Sequence, residues 1–225
     1  MKFSEQLRKD ADAIWEASFQ HPFVKGIADG TLPLECFRFY VLQDSYYLTH
    51  FSKVQALGGA KATDLHTTAR FAAHAQGTYE AELELHRNFS MRMGITEEEK
   101  QNFKPAPTAY AYTSHMYRAG YGNLGEILSA LLPCYWLYYE IGEKLQGSTP
   151  VEPIYQDWIA TYGGDWFREL VEEQINRLDE IAAKASEADL ERMRENFIIS
   201  SQYELAFWEM AYKQEEWPVT EATTV

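Results

Sequence analysis

Basic residues are few in this 225-residue chain beside its acidic ones. Twenty lysines and arginines stand against 34 aspartates and glutamates, for a net charge of −14. With no basic stripe to neutralise phosphates, nucleic-acid binding is excluded, and docking on an anionic membrane surface is disfavoured for the same reason. Cysteine is scarce too: Cys36 and Cys134 are the only two, with no CxxC or Cys/His spacing. That excludes a disulfide scaffold and a zinc module, and two isolated thiols on apolar segments fit a reducing, cytoplasmic compartment. No apolar run is long enough for a membrane span, and Met1–Arg8 lacks the apolar core of a secretory leader. Alternating β-branched runs are also missing, which argues against a sheet.

What is present is apolar and aromatic: 46% and 15% of the residues. That is ample for one compact core over residues 1–225 without disulfides or metals. Nearly every segment repeats at the helical period, which predicts an all-α bundle with helices over about 4–18, 22–29, 34–58, 63–92, 107–119, 123–146, 151–161, 164–183 and 187–214. Ser4, Thr63-Asp64, Thr96 and Ser186 mark helix starts. Gly58-Gly59, Gly120 to Gly122, Gly147-Ser148 and Gly163-Gly164 mark breaks. The tail 218–225 is expected to fray.

Three polar residues stand where these helices should be apolar. The stretch Ser129–Gly142 carries Pro133 and Cys134 side by side, and a proline within a helix removes a donor to Ser129 and re-aims the axis. Cys134 lies on the seam Ile127, Leu131, Cys134, Tyr138, Ile141, Leu145, whose steps of 4, 3, 4, 3 and 4 define an inward face. Taken alone it could be a small core hydrophobe. Glu204 lies on the seam Phe197, Ser201, Glu204, Trp208, Ala211, where an unpartnered carboxylate would cost several kcal/mol. It needs either a structural arginine or lysine partner, or a function. Asp44 belongs to two overlapping seams, Phe37, Val41, Asp44, Leu48, Phe51 and Tyr40, Asp44, Tyr47, Phe51. Together they predict one internal pocket lined by tyrosines.

Those side chains suit a particular chemistry. A thiolate adds to an electron-poor ring carbon, and a carboxylic acid activates the ring by protonating its nitrogen. Burial should raise the pKa of Glu204, as a proton donor near neutral pH requires. A second carboxylate can accept hydrogen bonds from an exocyclic amine, while tyrosines sandwich a flat ring.

Several motifs then resemble one family across nearly the whole chain. They are His21-Pro-Phe-Val24 with Gly30-Thr-Leu-Pro33, Phe39–Leu48, Leu132-Pro-Cys-Tyr-Trp136, Tyr155–Ile159 with Tyr162, and Ser201–Trp208. In this order and at these separations the chain resembles the TenA family, the thiaminase II or aminopyrimidine aminohydrolases, whose fold is the haem-oxygenase-like helical bundle. The resemblance implies Cys134 as the nucleophile and Glu204 as the group that protonates the ring nitrogen and later assists water. It implies Asp44 as the anchor of the aminopyrimidine edge, with Tyr47, Tyr112, Tyr138 and Tyr162 lining the pocket. Hydroxymethylpyrimidine would be released from aminomethylpyrimidine or thiamin, a small-molecule pyrimidine substrate, with no cofactor and no metal, in a homotetramer. The fold name does not imply haem.

Two other readings bear on the same chain. Glu82 and His86, with Asp64, His66, His50 and Glu80 nearby, could contribute to a di-iron centre, but the Glu-x-x-His motif does not occur twice, and an i,i+4 surface pair accounts for Glu82 and His86. A non-enzymatic helical regulator would act through its surface and gives no reason for inward Cys134, Asp44 and Glu204. Cys36 is expected to pack in the core, and Glu97–Glu99 and Glu169–Glu173 to be solvated helix faces.

Overall fold

The computed structural model describes residues 1–81 and 87–218. These form twelve helices: α1 (Phe3–Asp10), α2 (Asp12–Gln20), α3 (Pro22–Asp29), α4 (Leu34–Lys61), α5 (Leu65–Ala81), α6 (Arg87–Arg92), α7 (Glu97–Gln101), α8 (Pro107–Gly120), α9 (Leu124–Leu145), α10 (Pro153–Tyr162), α11 (Asp165–Ala182) and α12 (Glu187–Lys213). No strand occurs among the described residues. Helix α9 is the central post and packs against α4, α8, α10, α11 and α12. Its seam explains why: Ile127, Leu131 and Ile141 are essentially without solvent exposure, and Phe197 and Trp208 of α12 pack on Trp136 and Tyr138 of α9.

The first of the family-like motifs hold the fold together. His21 accepts the Phe23 amide on Nδ1 and caps α3, while Pro22 occupies the first turn, where a missing N–H costs nothing. The Leu32 carbonyl accepts the Tyr155 hydroxyl at 2.8 Å, tying the loop after α3 to α10. Thr96 and Ser186 cap α7 and α12, and Asp64 accepts the Thr67 amide at the start of α5.

Several boundaries differ from the sequence expectation. The helix over 4–18 divides at Ala11, where ψ relaxes to −2° with neither glycine nor proline to announce it. Ser4 is not a cap: its amide and hydroxyl both bind Asp179 of α11, at 2.8 Å each. Gly58-Gly59 does not break α4. Gly58 lies inside the helix because a Cβ there would come within 2.6 Å of the Phe71 ring, so its bareness lets α5 pack close. The expected helix 63–92 includes Glu82 and His86, which lie outside the described residues, as does 219–225 of the expected tail. Glu173 is not part of a solvated face; it turns inward between Arg70 and Arg177.

Helix α9 runs unbroken through Pro133. The Ser129 carbonyl thereby loses its helical donor, and the Ser129 hydroxyl is buried without a partner. One residue on, the Ala130 carbonyl accepts the Ser200 hydroxyl of α12 at 2.7 Å.

Candidate active site

Helices α4, α5, α9, α10 and α11 enclose a cavity of about 390 Å³, of a size for a small ligand. Asp44 of α4, Cys134 and Tyr138 of α9, and Tyr162 at the end of α10 all face it. Cys134 is therefore half-exposed to the cavity although it lies deep in the protein. The other aromatics of its segment divide: Tyr135 and Tyr138 line the cavity, whereas Trp136 packs edge-on against Trp15, 5.5 Å away.

Glu204, Tyr47 and Tyr112 do not form the cavity surface. They stand behind it, with the Tyr47 hydroxyl close enough to hydrogen-bond a Cys134 thiolate and Glu204 close enough for its charge to act there. Glu204 is 2% exposed, and its Oε1 accepts the Tyr112 hydroxyl at 2.6 Å. No arginine or lysine pairs with it among the described residues; the Tyr112 hydroxyl that bonds it is neutral. Burial raises its pKa to about 8 and nearby Asp44 adds to the rise, with the Tyr112 hydrogen bond opposing both. Glu204 is thus a carboxylic acid at neutral pH. Burial and then the Glu204 charge push the Cys134 thiol well above its usual value, with Tyr47 pulling the other way. Unliganded, the site holds a thiol rather than a thiolate.

The aromatic rings at and behind the cavity pack against one another. Tyr138 and Tyr162 meet at 4.8 Å and 61°, and Tyr47 lies 4.9 Å from Tyr112. Tyr112 in turn stacks on Tyr203 at 5.2 Å. Behind Tyr138, the hydroxyl of Tyr40 approaches at 3.4 Å and accepts the Trp158 indole N–H. Gly142 sets the α10 end: a Cβ there would sit 2.4 Å from the Tyr162 carbonyl carbon, so α9 can touch the backbone that carries Tyr162.

All seven expected residues therefore converge on one region, four on its surface and three behind. Sequence reasoning missed the opposite wall, formed by Arg70, His74 and Thr78 of α5, Tyr135 of α9, and Phe167 of α11. Helix α5 carries no simple apolar stripe that would have oriented these side chains. The residues weighed as metal ligands are otherwise engaged or undescribed. His50 bonds the Tyr117 hydroxyl, Glu80 accepts from Gln76, and Asp64 caps α5. Glu82 and His86 lie outside the described residues.

A helical bundle that brings a cysteine and a buried carboxylate to a tyrosine-lined cavity, with a second buried carboxylate behind it, defines an all-α protein with an internal site of a size for a small molecule. A family model described as the TENA/THI-4/PQQC family matches residues 8–214, and the chain belongs to that family. It is 64% identical over 218 residues to the aminopyrimidine aminohydrolase of Bacillus subtilis, covering 96% of this chain and 92% of that one. Among solved structures it is similar to a TenA homologue from P. horikoshii, at 34% identity and a TM-score of 0.85, covering 95% of this chain and 99% of that chain. A domain of unknown function from Shewanella denitrificans, described as having a heme oxygenase-like fold, superposes with a TM-score of 0.74 at 18% identity, covering 93% and 92%. That likeness is one of fold, and the fold is the haem-oxygenase-like bundle.

Proposed function

We propose that the chain is a thiamin-salvage hydrolase that cleaves the exocyclic methylene C–N bond of aminomethylpyrimidine, and of thiamin, releasing 4-amino-5-hydroxymethyl-2-methylpyrimidine. The observation that carries this is the convergence of Cys134, Asp44 and Glu204 on one aromatic cavity, in a chain 64% identical to an aminopyrimidine aminohydrolase. Asp44 takes the aminopyrimidine edge, and Tyr138 and Tyr162 hold the ring. Cys134 Sγ adds to a ring carbon while Glu204, protonated at neutral pH, gives its proton to the ring nitrogen. The thiol's proton replaces the one Glu204 gave up, so no charge accumulates. The C–N bond then breaks, its electron pair leaving with the amine, as ammonia from the ammonium form, or with the thiazole. Water adds to the exocyclic methylene and releases a proton to ammonia or solvent; Cys134 leaves as thiolate and takes up the proton that the ring nitrogen gives back as the ring regains aromaticity. A regulator acting only through its surface would have no use for this interior.

The two free thiols, Cys36 and Cys134, support a reducing, cytoplasmic setting. The homotetramer is what the family resemblance implies, and sedimentation would measure it. The family match from residue 8 to residue 214 supports a single domain.

Incubation with aminomethylpyrimidine and, separately, with thiamin tests the function, with hydroxymethylpyrimidine as the measured product. Turnover of at least one, lost in Cys134→Ser, is expected. No product from either, or full activity in Cys134→Ser, would sink the proposal.

A further inference from the structure

A row of aromatic rings leads outward from the reactive end of the cavity, and the mechanism above uses only its inner half. Tyr162 meets Tyr138 at 4.8 Å on one side and Phe167 at 5.3 Å and 80° on the other. Trp166 follows Phe167 at 6.4 Å and 41°. All four residues line the cavity. Exposure rises along the row: Tyr138 is buried, Tyr162 and Phe167 are half-buried, and Trp166 is 58% exposed. The backbone sets this order. Gly163 ends α10 and Gly164 caps α11, so Trp166 and Phe167 stand in the first turn of α11, just beyond Tyr162.

The inner end of the cavity is closed. Tyr40 and Trp158 stand behind Tyr138, and Tyr47 and Tyr112 behind Cys134, all four buried. The exposed lining residues are Trp166 at the far end of the row and Ala73, Gln76 and Glu80 on α5. Bulk is missing on that helix: an added Cβ at Gly77, which also lines the cavity, would meet nothing within 4 Å. A volume of about 390 Å³ is in the range of drug-sized ligands, and one pyrimidine ring leaves part of it empty. With the pyrimidine held at Asp44 and Cys134, a second ring on its methylene has the outer part to occupy.

The charge at the cavity selects the kind of ring. Asp44 and Glu80 line it, whereas Arg70, the one cationic lining side chain among the described residues, is forked on Glu173. An indole face attracts a cation through its quadrupole. Thiamin carries such a ring, the thiazolium; aminomethylpyrimidine does not.

We propose that Trp166, with Phe167 beside it, forms a subsite for a flat cationic second ring and is the specificity-determining residue for thiamin over aminomethylpyrimidine. The proposal rests on the hydrolase reading and deepens it, because it assigns recognition of the larger leaving group to the outer half of the same cavity.

The test measures kcat and KM for thiamin and for aminomethylpyrimidine in the wild type, Trp166→Leu and Trp166→Phe. The thiamin-to-amine ratio of kcat/KM is expected to fall about fivefold in Trp166→Leu, through a raised KM for thiamin. Trp166→Phe keeps a ring face and should recover part of that loss. Equal proportional losses on both substrates, an unchanged ratio, a fall in kcat alone, or equal ratios in the two variants would overturn the proposal. If Trp166→Leu melts below the assay temperature, Ala73→Leu decides by the same fall in ratio, since it adds bulk from α5. A wild type that turns over the amine and not thiamin would also overturn it. A wild type inert toward both substrates removes the hydrolase reading itself.

Discussion

Tyr112 of α8 donates its hydroxyl proton to Glu204 of α12 across 2.6 Å, and this bond is what opposes burial in setting the acid of the site. A hydrogen bond donated to a carboxylate favours its charged form, so removing it raises the pKa further. Wild-type activity should fall as pH rises through about 8, where Glu204 loses its proton. In Tyr112→Phe that alkaline limb should move to higher pH. Profiles of kcat/KM against pH measure it, because they report the free enzyme. A limb that stays put or moves down would mean that another group sets it.

Glu204 should also lower stability at neutral and alkaline pH. Its folded pKa of about 8 lies above the ordinary 4.5, so between those values the native state holds a proton that the unfolded chain has released. The stabilisation is complete below the unfolded value and is lost as pH rises through the folded one. Glu204→Gln lacks this titration and keeps an oxygen for Tyr112. The variant should therefore be inactive, close to wild type in stability at pH near 4.5, and more stable by up to about 4 kcal/mol at pH near 8. Urea unfolding at the two pH values tests this; a gap that does not widen with pH would refute it.

The Cys134 thiol, raised first by burial and then by Glu204, should alkylate slowly although it faces a cavity. Only thiolate reacts, so the rate should keep rising with pH beyond the range in which an ordinary cysteine levels off. Iodoacetamide labelling followed by peptide mass spectrometry gives that rate separately from Cys36, whose thiol is also raised by burial. Levelling of the Cys134 rate below about pH 8.5 would contradict the electrostatic picture.

Pro133 offers a cleaner separation of aim from stability. Alanine there restores the N–H that Ser129 lacks and favours a helix interior by about 3 kcal/mol. If the proline aims Cys134 into the cavity, Pro133→Ala should lower kcat/KM severalfold without lowering Tm. Unchanged turnover would make the proline a passenger and leave the nucleophile standing.

The inward residues were legible because helical periodicity places a side chain to within a fraction of a turn. Cys134, Glu204 and Asp44 sat on seams whose other members, the partly buried Leu48 and Leu145 apart, are buried, so a polar residue there had to face the interior. Tyr135 was opaque for the same reason: one step off the Cys134 seam, it looked like flank until α4 and α5 closed over it. His74 and Gln174 meet across 100 positions of sequence, and neither carries a local signal of the other. The break at Ala11 and the pairing of Ser4 with Asp179 are likewise tertiary, decided by how α1 docks on α11.

Gly142 joins the packing of the bundle to the geometry of the site. A methyl group there would lie 2.4 Å from the Gly163 nitrogen and from the Tyr162 carbonyl carbon. Both are backbone atoms, which cannot swing aside as a flexible side chain could, so α10 must shift away from α9. The shift would move Tyr162 from its 4.8 Å contact with Tyr138 and open one side of the ring clamp. Gly142→Ala should cost about 1–3 kcal/mol, as overpacking does, and raise KM more than it lowers kcat, because the nucleophile and acid on α9 and α12 stay in place. Gly77→Ala in α5 is the control for stability. Nothing lies within 4 Å of its added methyl, so helix propensity alone should make that variant more stable by up to about 1 kcal/mol. Thermal melts of the two variants should therefore move in opposite directions. A Gly142→Ala protein with an unshifted melt and unchanged KM would show that α9 does not hold Tyr162 in place.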